Sequence, residues 1–168
     1  MDKLALKHYI VSHNCVMERI NGRLIRYIEF DPSNDWATQL PTNKWLAIIL
    51  ANNFGKKYIE EVVRKSIDRN VCWITGLGEL HEVVHEIADE EIAFRDADIE
   101  PHHLPRHTIV TTDDSDFDEG VWFSVFSASN NECPIDEVVI INSTGDKSFN
   151  QRTTNLIGKF KDGYVPTK

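Results

Sequence analysis

The chain has 168 residues, 41% hydrophobic and 27% charged, and carries a formal net charge of −9. That length fits one domain able to bury a core without metals or disulfides. Its acidity repels phosphate backbones and anionic headgroups, which excludes generic nucleic-acid and membrane-surface binding. The longest apolar run, residues 45–51, is far too short to cross a bilayer.

The N-terminal stretch lacks the apolar core and small-residue cleavage site of a signal peptide, so a cytoplasmic location is expected. Three cysteines, Cys15, Cys72 and Cys133, make an odd number with no CxxC pair. The pattern argues against a disulfide framework and against a zinc ribbon. Cys72 sits in an apolar strand pattern, as a small core residue would.

In chain order, residues 16–20 and 23–30 read as the strands of a β-hairpin. Asn21-Gly22 between them suits a type I′ turn, whose two central positions need positive φ. Residues 31–43, rich in Pro, Asp and Asn, read as a loop. The continuous apolar run 45–50 predicts a strand buried on both faces. Ile59, Val62, Val63 and Ile67 recur at helical spacing within 56–69. A second strand follows at 71–74, a second amphipathic helix at 79–90, and a long connection at 95–106. The remaining elements are strand 108–111, an aromatic helix at 117–128, strand 137–141 and a closing helix at 148–160.

Strands alternating with helices predict right-handed crossovers and a parallel sheet. The expected fold is therefore a three-layer Rossmann-like or flavodoxin-like α/β domain with a mostly parallel sheet and an N-terminal β-hairpin. It forms one domain over 1–168, with hairpin and loop at 1–43 and the βα core at 44–168.

Ligands of open parallel sheets bind beyond the carboxyl ends of the strands. Those ends are predicted at Asn52-Asn53, Thr75-Gly76, Thr111 to Asp114 and Asn142 to Gly145, all polar. Thr75, Gly76, Gly78, Thr112, Asp113, Asp114, Ser143 and Thr144 are accordingly candidate ligand-binding residues. The competing reading is that loops are polar simply to satisfy their backbones. Thr75-Gly76-Leu77-Gly78 follows a strand and opens a helix, the context for anion binding. His81 stands where a dinucleotide fingerprint needs its third glycine, which favours a plain strand-to-helix turn.

His81-Glu82-Val83-Val84-His85 is an H-E-x-x-H sequence. Histidines at i and i+4 share a helix face and can hold zinc, with Glu82 as the catalytic general base. Against this, Leu80, Val83, Val84 and Ile87 form the core stripe, which leaves His81 and His85 on its flank. Glu79 and Glu86 add charge around the motif. A third ligand would come from His102, His103, His107 or an acidic residue, and no spacing selects one. The alternative is two boundary histidines on an amphipathic helix.

The acidic run 113–120 fails as an EF-hand, because the glycine and the terminal glutamate are out of place. Asp113 or Asp114 remain candidates for magnesium. The simpler reading is a capping box, with Asp116 as N-cap and Glu119 three residues on. No G-x-S-x-G elbow is present, and neither Cys15 nor Cys133 has an argued base.

Residues from about 45 to 141 resemble a family of small uncharacterised bacterial α/β proteins classed as a domain of unknown function. The likeness rests on Val71-Cys72-Trp73 leading to Gly76, on Glu82 to Asp89, and on Ile99-Glu100-Pro101. It continues through Thr108 to Thr112 and Glu119 to Phe123. Members of that family look to carry a Trp-His pair where this chain has Asp113-Asp114, and match His85 better than His81. The resemblance implies an α/β fold and carries no activity with it.

The functional expectation is a non-enzymatic binding or regulatory module, an acidic partner of a basic protein such as a toxin or nuclease, needing no cofactor. The alternative is a metal-dependent hydrolase or small-ligand binder, using zinc at His81 and His85, magnesium at Asp113 or Asp114, or the carboxyl edge of the sheet.

Overall fold

The computed structural model describes residues 14–97 and 102–167. The expectation for residues 98–101, the middle of the long connection, lies outside the described residues. Six strands form one sheet: β1 (Asn14–Ile20), β2 (Arg23–Glu29), β3 (Trp45–Leu50), β4 (Trp73–Leu77), β5 (Val110–Asp114) and β6 (Glu137–Asn142). Four helices accompany them: α1 (Ile59–Asp68), α2 (His81–Ala97), α3 (Phe117–Phe126) and α4 (Ser148–Lys161). The spatial order is β1-β2-β6-β3-β4-β5. β1 runs antiparallel to β2, and the remaining neighbours are parallel.

The hairpin turn forms as its sequence predicts, with Asn21 at φ 52° and Gly22 at φ 75°. β2 also pairs with β6 over residues 24–29, so the hairpin's second strand is a member of the parallel sheet.

The period of two is visible in β3. Leu46, Ile48 and Leu50 enter one core cluster, with Phe117, Val121, Leu156 and Phe160 from α3 and α4. Trp45, Ala47 and Ile49 enter the other, with Ile59, Val63, Val84 and Ala88 from α1 and α2. Every residue of β3 is fully buried, as a strand covered on both faces requires. The three-layer expectation thus holds, with α1 and α2 on one face and α3 and α4 on the other.

Counted from β3, the four core strands stand in the order 3-2-1-4, and the hairpin strands β2 and β1 fill the places beyond β6, so the six-stranded sheet as a whole follows neither the 3-2-1-4-5-6 order of Rossmann sheets nor the 2-1-3-4-5 order of flavodoxin sheets. Here the last strand, β6, slots between β2 and β3. The alternation of strands and helices specifies that crossovers occur, and does not specify where the last of them lands.

Two strands also begin and end later than the sequence pattern suggests. β4 runs to Leu77 and β5 to Asp114, which places Thr75, Gly76, Thr112 and Asp113 inside strands rather than beyond them. Parallel pairing sets this register: Gly76 lies opposite Asp113, and Leu77 opposite Asp114. No described helix is long and apolar enough to cross a membrane.

Candidate functional site

Ligands collect where neighbouring parallel strands send the chain to opposite faces, because the loops then diverge. That happens on either side of β6 and again between β4 and β5. Around β6 the opening is closed by its own hydrogen bonds. Ser143 Oγ donates to the Leu50 carbonyl at 2.6 Å, and Thr144 Oγ1 donates to Asn142 Oδ1 at 2.6 Å. Asn52 Nδ2 donates to the Thr144 carbonyl at 3.1 Å. Asn142 Nδ2 donates to Tyr27 Oη, Glu29 and the Asp146 carbonyl. A side chain at Gly55 would collide with the Ser143 carbonyl oxygen. Ser143 and Thr144 are therefore buried and occupied, and do not join the other candidates.

Between β4 and β5 the loops part. A cleft of about 420 Å³ lies there, lined by Gly78, Glu79, His81, Ser115, Asp116, Phe117, Phe149 and Arg152. Gly78, at φ 91°, makes the turn out of β4, and a side chain there would meet the Ala51 carbonyl oxygen at 2.7 Å. Asp116 caps α3 by accepting a bond from the Glu119 amide at 2.8 Å, the N-cap half of the expected capping box, while its own N–H goes to Asp114. Arg152 of α4 stacks over Phe117, 4.4 Å from the ring centroid, and pairs with Asp118 at 3.3 Å.

Behind the cleft, Asp113 of β5 accepts two histidine bonds from α2. Its Oδ2 takes His81 Nδ1 at 2.6 Å and its Oδ1 takes His85 Nδ1 at 2.7 Å. Residues four apart lie on one helix face, so α2 offers both rings to the one carboxylate opposite. His85 Nε2 lies 3.3 Å from Asp89 Oδ2, one turn further along, and Thr111 Oγ1 donates to Asp89. The result is a string of alternating acids and imidazoles, Asp89–His85–Asp113–His81, that ends at the cleft. Partial burial works to raise the Asp113 carboxyl, but the hydrogen bonds and charges of His81 and His85 outweigh it and hold it below the usual range. An ionised carboxylate accepts only, so both histidines keep their protons on Nδ1. His81 Nε2 makes no hydrogen bond to a described residue.

The other candidates serve the scaffold around this string. Thr75 is buried and meets Thr112, oxygen to oxygen, at 3.1 Å. Thr112 also accepts the Trp73 indole N–H at 2.9 Å. Gly76 lets the first turn of α2 press onto β4, since a Cβ there would collide with the His81 carbonyl oxygen. Asp114 accepts the Asp116 amide at 2.8 Å and shapes the loop into α3. Neighbouring strand residues face opposite ways, so Asp113 and Asp114 do not converge. Glu82 is exposed on the outer side of α2.

With both Nδ1 atoms on Asp113, a metal between His81 and His85 would have to take the Nε2 atoms. Among the described residues, the His, Cys, Asp and Glu group with ligand atoms within 4.8 Å of one another is Cys72, His107 and Cys133.

Sequence reasoning missed Asp89, Ser115, Phe149 and Arg152. Asp89 had a signal, since 81, 85 and 89 form one i, i+4, i+8 row. Phe149 and Arg152 had none, because α4 reaches the cleft through the strand order.

The family model described as "Domain of unknown function (DUF7684)" matches residues 25–159, and the chain belongs to that family. No curated protein and no solved structure matches it.

Proposed function

We propose that this member of the DUF7684 family is a binding domain for a small organic ligand, seated in the cleft between β4 and β5. One observation carries the reading: His81 lines the cleft while Asp113 holds its ring through Nδ1, so Nε2 is the nitrogen left for a ligand. Phe117 and Phe149, their rings tilted 50° to one another, offer an apolar wall. His81, Ser115 and Arg152 offer polar groups around it, the mixture small-molecule sites use. The ligand chemistry that fits is a planar or aliphatic body bearing an acidic or hydroxyl group.

We read the role as binding rather than catalysis, because among the described residues no hydrogen bond joins Ser115, the hydroxyl that shares the cleft, to His81. A zinc hydrolase built on His81, Glu82 and His85 finds less support, since Glu82 faces solvent and both Nδ1 atoms are engaged. A cytoplasmic setting belongs to the same proposal.

The test is a screen of small carboxylic and hydroxy acids, followed by imidazole proton resonances in solution. Binding that shifts the His81 signals and weakens about tenfold or more in Phe149→Ala supports the reading. Hits that leave His81 unmoved, or no hit at all, overturn it.

The net charge of −9 favours a second reading, an acidic regulatory partner of a basic protein. A basic protein of its host retained by the chain at low salt and released as salt rises would support that docking role. Failure to retain any such protein would remove it.

A further inference from the structure

Three residues that the cleft does not use meet at the opposite, amino edge of the sheet. Cys72 immediately precedes β4, His107 lies shortly before β5, and Cys133 lies in the loop that leads to β6. The two sulfurs and a ring nitrogen of His107 all lie within 4.8 Å of one another. The cysteine Cα atoms are 5.9 Å apart and the sulfurs are joined as a disulfide, contrary to the expectation from the odd cysteine count and the missing CxxC pair, because the two lie 61 residues apart and meet only once the strands pair. We propose that Cys72, Cys133 and His107 form a binding site for a thiophilic divalent cation, zinc being the metal whose preferences they match.

The residue types suit it. Zinc takes thiolate and imidazole in tetrahedral sets, and at Zn–S of about 2.3 Å a sulfur–sulfur edge spans about 3.8 Å. The sulfurs need only separate to that distance. Three protein ligands leave the fourth position to water or to an incoming group.

The surroundings support the ring and the loop. His107 donates Nε2–H to the Val71 carbonyl at 2.9 Å, since a carbonyl can only accept. That fixes the tautomer and leaves the lone pair on Nδ1, the arrangement that outer-shell carbonyls impose on ligating histidines. Asn130 Nδ2 bonds the carbonyls of Cys72 at 3.1 Å and Thr108 at 2.8 Å. Glu132 accepts the Thr108 amide at 2.6 Å. The loop that carries Cys133 is thus tied to the segments that carry Cys72 and His107, without help from the sulfurs. His107 is half-buried and also lines a cleft of about 470 Å³ beside α2.

Binding is an acid-releasing step. Two thiols and one zinc ion give a bis-thiolate complex and two protons passed to water. Where the sulfurs are joined, a dithiol reductant must act first. It supplies two electrons and two protons, becomes a cyclic disulfide itself, and returns both cysteines as thiols.

This proposal is independent of the carboxyl-edge cleft. The full chain would be reduced, freed of reductant without air, and titrated with zinc against a chromophoric chelator, with cobalt(II) in parallel. One equivalent should bind, with a near-ultraviolet sulfur-to-cobalt charge-transfer band. Cys133→Ser and His107→Ala, both at less buried positions than Cys72, should each weaken zinc about 100-fold or more, beyond the effect of an outer-shell change. His81→Ala should leave zinc binding unchanged. No zinc uptake by the reduced chain overturns the proposal. So does a pair of sulfurs that dithiol cannot reduce in the folded protein, or zinc that is lost in His81→Ala and kept in His107→Ala.

Discussion

Replacing Asp113 by Asn tests the centre of the candidate site directly, because the shape survives and the charge does not. Asp113 accepts His81 at 2.6 Å and His85 at 2.7 Å. A hydrogen bond to a charged group contributes about 1.5–3 kcal/mol. Here the side chains are 19%, 34% and 23% exposed for His81, His85 and Asp113, so solvent screens part of that gain. A combined loss of about 1–3 kcal/mol at pH 7 follows, or about 2–4 °C in Tm for each kcal/mol in a chain of this size. The pH dependence is the sharper part. The folded carboxyl titrates below its ordinary value, so its contribution is fully present above that value. As pH falls, the unfolded chain takes up the proton first. The contribution therefore shrinks below about pH 4 and vanishes once pH passes the folded value. Urea unfolding of wild type and Asp113→Asn between pH 2 and 7 would read the difference. A constant gap across that range, or none at pH 7, would refute the assignment of charge to this carboxylate.

Two further outcomes test the scaffold. Gly76→Ala should cost about 3 kcal/mol or more in urea unfolding, because the new Cβ strikes backbone and lies 2.9 Å from Val84 Cβ. Gly22→Ala, with nothing within 4 Å and only positive φ to oppose it, should cost about 1 kcal/mol; equal costs would show that the α2 turn does not press on β4. Burial, and then the Glu29 charge and hydrogen bond, push the Tyr27 phenol far upward. Its neutral form is favoured only while folded, so stability is intact below the ordinary tyrosine value of about 10 and falls as pH rises past it. Alkaline absorbance titration should leave Tyr27 un-ionised until unfolding, and its ionisation near the ordinary tyrosine value in the folded chain would count against the buried position.

The elements of the fold were legible because local signals specify them. Asn21-Gly22 demands positive φ, and the unbroken apolar run from Trp45 to Leu50 demands cover on both faces. Gly76 shows where that reading stops. A glycine after a strand looks like a loop, yet here it is a strand residue flattened to admit a helix. Strand order is a property of long-range pairing, and no local pattern in β6 says that it inserts between β2 and β3. The same limit hid Phe149 and Arg152, which reach the cleft only because α4 follows a strand placed there.

Polarity at the carboxyl edge was readable, but it does not separate a site from a seam. Ser143 and Thr144 are as polar as Ser115, and their oxygens are spent on Leu50 and Asn142. Their burial, 3% and 4% exposed, is what makes those bonds obligatory, since an unpaired buried hydroxyl costs more than the bond returns. Around β6 the loops must close on themselves, and a ligand entering there would have to replace every one of those bonds. Between β4 and β5 the loops are turned apart by Gly78 and by the Asp116 cap, and His81, whose Nδ1 alone is bonded to Asp113, lines the opening. Where hydrogen-bonding capacity is left over is a property that exists only once the strands are paired, which is why polarity along the carboxyl edge does not by itself locate a site.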